Sequence, residues 1–108
     1  MIYDNKQLLA DNSAFFATFI CQVKEFEKSL DSKHEAYMRL VSTSGAIMDA
    51  DSVAYKHPNL VCFYGTVDNQ PAMMLMHISQ LNMTLLSRPV ESDVPKRQIG
   101  FILDQNLE

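Results

Sequence analysis

Three histidines, two cysteines and thirteen Asp and Glu residues are the side chains here that are best equipped for chemistry, and their spacing decides which chemistry is open to them. His34, His57 and His77 lie far apart and form neither an HxH nor an HExxH unit, so no local metal site is expected. Cys21 and Cys62 have no CxxC or Cys/His spacing; both read as buried small hydrophobes, with a disulfide or a reactive thiol as the alternatives. Asp49 and Asp51 share a strand face if 46–53 is a strand, which is the minimum for paired-carboxylate catalysis. A histidine folded against them would make a metal-dependent hydrolase, the enzyme-class alternative; exposed solubilising residues are the simpler reading. Ser42, Thr43, Ser44 and Gly45 lack the frame of a nucleophile elbow or a phosphate-cradling loop. The chain is therefore expected to be a non-enzyme, with no catalytic residue, metal or cofactor assigned.

Binding chemistry is better represented. Tyr55, Lys56 and His57 join a ring, a charge and an imidazole just before Pro58, a cluster suited to stacking a base or holding a phosphate, and His77 is expected at a strand end nearby. A polar loop closed by proline is the plainer account. Arg88 with Lys96 and Arg97 forms a second cationic group, diluted by Glu91 and Asp93. A formal charge of -4 argues against a general nucleic-acid binder, which places excess Lys and Arg against phosphates. RNA or a small nucleotide remains the alternative ligand to an assembly partner.

The elements that must position these groups follow from periodicity. Asn12 or Ser13 is suited to cap a helix, and Phe15, Phe19, Val23, Phe26 and Leu30 recur at helical steps with Phe16 and Ile20 widening the face, so a helix is expected over 13–30. Phe15, Phe16 and Phe19 exceed what a small helix needs, which points to a subunit interface; packing over its own sheet is the alternative. Period-two alternation then places Ala36, Met38 and Leu40 opposite Tyr37, Arg39 and Val41. A turn at 42–45 leads to a weaker strand over 46–53, and residues 60–64 give the clearest strand signal. Gly65 marks a bulge, 68–71 a hairpin connection, and 72–78 and 83–86 two further strands. Met74 and Met76, with Met73 and Met83, either fill the core or line an adaptable interface. Residues 88–97 read as a loop and 99–103 as an additional C-terminal strand. One domain over 1–108 is expected, comprising the helix, a strand-rich barrel over 35–87, and the loop and last strand over 88–103. Five short strands in about fifty residues must protect their edges, by closure or by pairing between subunits. All connections look too short for parallel crossovers.

This order resembles the Sm-like family, especially the bacterial RNA chaperones, on Tyr37-Met38-Arg39-Leu40-Val41 as first strand and Met76-His77-Ile78-Ser79 near the end of the fourth, over 13–87. The resemblance implies an α+β fold: an N-terminal helix followed by a strongly bent five-stranded antiparallel sheet forming a small barrel, assembled through strand edges into rings. It also implies a Lys-His pair that binds uridine. His77 matches the histidine, but Met76 stands at the lysine position and removes its charge. The chain is similar as well to an uncharacterised bacterial and phage family with an Ile99-Gly100-Phe101 ending after His77, Ser79, Gln80 and Leu81. The expectation is a homo-oligomeric binding or assembly module with a protein partner as the other possibility. With no basic-then-apolar leader and no run of about 18 apolar residues, no membrane association and a cytoplasmic location are expected. Leu107 and Glu108 are read as a vector remnant without structural meaning.

Overall fold

The computed structural model describes the backbone of residues 5–56 and 58–103 and the side chains of 13–56 and 58–102, which leaves His57, Leu107 and Glu108 outside the described residues. Its elements are α1 (Asn5–Ser29), β1 (His34–Val41), β2 (Ile47–Lys56), β3 (Leu60–Val67), β4 (Gln70–His77), a 3-10 turn (Ile78–Gln80), β5 (Thr84–Pro89) and β6 (Gly100–Leu103). The layout is α+β, one helix followed by a mostly antiparallel sheet in the order β4-β3-β2-β1-β5.

The helix starts earlier than expected. Asn12 and Ser13 lie inside it, because residues 5–11 contain Lys, Gln, two Leu and Ala, which favour helix strongly enough that no cap is needed there. Its buried stripe is the expected one except for Phe15 at its edge. Phe16 and Val23 are buried, with Phe19, Ile20, Phe26 and Leu30 packed beside them, while Phe15 is 51% exposed. At about 100° per residue, a stripe through 16, 20, 23 and 30 turns position 15 toward solvent. The helix thus packs on its own sheet, sharing one core cluster with Met38, Leu40, Met48, Val53, Val61 and Phe63.

Two tight turns set the strand register. Gly45, at φ +90°, donates its N–H to Ser42 O, a backbone conformation that glycine reaches without Cβ strain. Asp68 and Asn69, at φ 51° and 65°, form the two-residue link between Val67 and Gln70, the geometry whose twist matches a hairpin. Gln70 and Pro71, expected in that turn, instead begin β4.

The bend in the sheet comes from β2. The pairing of β2 with β3 shifts between Ala50 and Ser52, so Asp51 is the extra residue of a bulge. The bulge lies in β2, opposite Gly65 rather than at it. A Cβ on Gly65 would collide with Asp49 O and stand 2.6 Å from Ala50 Cα, so this close approach requires glycine. The same bulge divides the other edge of β2. Residues 47–50 pair with β1, and 52–55 pair with β6. β6 runs parallel to β2, contrary to the all-antiparallel expectation. No crossover helix is required, since the two strands are not consecutive and three other strands and the 90–99 loop separate them.

The sheet is not closed. β4 and β5 are its two ends, and no pairing joins them among the described residues. The barrel expected from the sequence is therefore present only as a bent, open sheet.

Candidate functional site

An edge strand in a monomeric protein usually carries charge to discourage further pairing. β4, Gln-Pro-Ala-Met-Met-Leu-Met-His, has no Lys, Arg, Asp or Glu. Alternation sends Ala72, Met74 and Met76 toward the core and leaves Met73 and Leu75 on the outer face, 55% and 53% exposed. Its one protective device is Pro71, which lacks an N–H to offer. At the other end of the sheet, β5 pairs with β1 through His34↔Pro89 to Arg39↔Thr84 and, among the described residues, its second edge is unpaired. Between the ends lies a cavity of about 380 Å³ lined by Met74, Met76 and Met83 together with Arg39, Gln80 and Asn82. Two unpaired edges thus flank a partly apolar seam.

The expected interface and ligand residues separate into different places. Phe16 is core, stacked on Tyr55 with ring centroids 5.1 Å apart; Phe19 meets Phe101 edge-on, and Phe15 alone of the three is turned outward. Met74 and Met76 pack against the core from the β4 end. Tyr55 is buried and its hydroxyl donates to Pro58 O at 2.7 Å, so it joins the helix to the β2–β3 turn and does not face a ligand. Lys56 points to the opposite face, in a cross-strand row with Leu60 and His77. Two strand spacings put Lys56 and His77 about 10 Å apart. His77 Nδ1 meets the Ser79 N–H and hydroxyl at 3.1 and 2.8 Å, capping the 3-10 turn. His57 lies outside the described residues. Tyr55 and the Lys56–His77 row therefore occupy opposite faces.

The cysteines differ from their common reading. Cys62 is buried, and burial pushes its thiol up despite Lys56 and Tyr64, whereas Cys21 is exposed on the helix; both are free. Asp49 accepts from Arg39 Nε and Nη2 at 2.8 and 3.1 Å, while Asp51 accepts the Ser52 hydroxyl. Asp49 and Asp51 are thus not a free carboxylate pair. Among the described residues, no group of three His, Cys, Asp or Glu side chains converges as a metal site would require.

The residue that spacing did not single out is Glu35, 1% exposed on the face shared with Tyr37 and Arg39. It stands where β1 peels away from β2 and the 96–99 segment arrives alongside. Its carboxylate accepts from Arg88 Nε at 2.8 Å, Arg97 N at 3.0 Å and Arg97 Nη2 at 3.1 Å. Burial pushes its pKa up, but the Arg97 amide and the two guanidiniums outweigh burial and hold it at about 2. Arg88 also lies 4.8 Å from the centroid of the Tyr37 ring, and Arg39 5.6 Å. Glu27 of the helix makes a matching contact, accepting the Ile99 N–H at 2.7 Å. Two carboxylates thus position the start of β6. Alternation predicted which face Glu35 occupies, but its burial depends on partners 53 and 62 residues away, for which no local signal exists.

No curated protein and no solved structure gives a significant match to the chain. A family model does match, over residues 5–102, which takes in the helix, the open sheet, the glutamate-held segment and most of β6. The chain belongs to that family, described as a family of unknown function, DUF6173.

Proposed function

We propose that this chain is a non-enzymatic assembly module that joins further copies of itself through the edges of its sheet. The observation that carries this reading is the eight-residue β4 edge, which has no Lys, Arg, Asp or Glu and turns Met73 and Leu75 outward. Each is already nearly half covered, so burying the exposed remainder of either is worth about 1 kcal/mol, and edge pairing would satisfy main-chain groups as well. The resemblance to Sm-like proteins, which complete a bent sheet between subunits, supports the same reading. So does the open seam: the unpaired edges of β4 and β5 each offer a neighbour's strand a place to pair. Two free cysteines, Cys21 exposed on the helix and Cys62 buried in β3, fit a reducing, cytoplasmic setting. The RNA or nucleotide reading loses its composite site, because Tyr55 is in the core and Met76 supplies no charge. The hydrolase reading loses Asp49 to Arg39.

Sedimentation of the wild type and the double variant Met73→Lys/Leu75→Lys tests the edge. The wild type should form a discrete oligomer that the variant dissociates, with unchanged circular dichroism since both side chains are half exposed. An oligomer indifferent to both charges would refute a β4 interface.

A further inference from the structure

The three carboxylate contacts that seat the C-terminal segment, two from Arg97 and one from Ile99, leave an unusual concentration of charge beside it. A cleft of about 700 Å³ runs between the C-terminal half of α1 and residues 96–101, within the size range of small-ligand sites. Four of the chain's nine Lys and Arg residues line it, Lys24, Lys28, Lys96 and Arg97, in a protein whose formal charge is -4. Its carboxylate, Glu27, already accepts the Ile99 amide. Arg97 shares Glu35 with Arg88, so two guanidiniums face one carboxylate and a positive charge is left over. Lys96 Nζ donates to the Asp31 carbonyl and feels the Asp31 carboxylate at longer range, but that carboxylate's hydrogen bonds go to His34 and to the Lys33 amide. Among the described residues Lys24 and Lys28 make no ion pair; they are one helical turn apart, where like charges repel. Leu30, Ile99 and Phe101 supply an apolar part of the wall, with Lys24 Nζ 6.0 Å from the Phe101 ring centroid.

We propose that this cleft binds a small organic phosphate, its anionic group among Lys24, Lys28, Lys96 and Arg97 and its apolar or aromatic portion against Leu30, Ile99 and Phe101. A phosphate between the two helix lysines replaces their repulsion with two charge-assisted contacts. The apolar wall adds selectivity for a phosphate carried on a hydrophobic body. This site is independent of the sheet edges and stands or falls separately from assembly.

The test is amide NMR of the full chain titrated with phenyl phosphate and, in parallel, inorganic phosphate. Millimolar phenyl phosphate should shift resonances of residues 24–30 and 96–101, and inorganic phosphate the same residues more weakly. Lys24→Ala/Lys28→Ala should weaken phenyl phosphate at least about tenfold, while Lys33→Ala, outside the cleft, should not. Alanine favours helix, so the double variant keeps α1, and circular dichroism checks it. If Lys28 serves only to complement the helix C-terminus, the double variant will melt lower with no change in binding, and the proposal falls. Shifts elsewhere, equal affinity for the two phosphates, or binding of a short single-stranded RNA with neither small phosphate would also overturn it.

Discussion

Glu35→Gln is the substitution whose consequences the structure specifies most fully. The carboxylate is 1% exposed and accepts three hydrogen bonds, two of them from guanidiniums that tie β5 and the start of β6 to β1. Its pKa falls from the ordinary 4.5 to about 2. At about 1.4 kcal/mol for each tenfold change in proton affinity, that depression stabilises the folded chain by roughly 3 kcal/mol at neutral pH. The sign follows from a lowered folded-state pKa: the stabilisation is complete above the unfolded value of about 4.5 and disappears as pH falls through 4.5 toward 2. By about pH 3 roughly 2 kcal/mol of it is gone. Glutamine keeps the shape but not the charge, leaving Arg88 and Arg97 without their shared anion. Urea titrations of both proteins should show Glu35→Gln less stable by roughly 3 kcal/mol near neutrality, with the gap narrowing as the solution is acidified from about pH 5 to pH 3. Parallel pH–stability curves for the two proteins would refute the assignment of this linkage to Glu35.

Two further perturbations probe the fold that carries the edges. Gly65→Ala should lower the melting temperature sharply, by an amount corresponding to about 2–4 kcal/mol, because the new Cβ meets the main chain of Asp49 and Ala50 and neither is a flexible side-chain end. A melt within a degree or two of wild type would show that β3 does not press against the bulge. Phe16→Ala should cost about 3–5 kcal/mol in urea denaturation, whereas Phe15→Ser should leave stability nearly unchanged; the reverse order would mean the helix is rotated from the orientation described.

Much of the fold was legible because the sheet is built from local signals. Alternation put Ala36, Met38 and Leu40 on the core side of β1, and the apolar run at 60–64 marked the most buried stretch of β3. Gly65 announced irregularity but not which strand would carry the extra residue, since a close approach constrains both partners alike. The rest was decided by contacts between distant segments. Phe15 and Phe16 are equally apolar, and only the position of the sheet determines which is covered. Tyr55 looked like a ligand group beside Lys56, yet period two sends neighbours to opposite faces, so adjacency in sequence argued against a shared site. The parallel pairing of β6 was hidden because it rests on the bulge at Asp51 and on Glu35 and Glu27, which receive the Arg97 and Ile99 amides from across the molecule.

The central claim, that the edges of this open sheet, the uncharged β4 edge above all, join copies of the chain, is tested most directly by the mass of the native protein. Native mass spectrometry at micromolar concentration should return a single discrete multiple of the 12.3 kDa chain mass. A protein that remains monomeric throughout that range would contradict it.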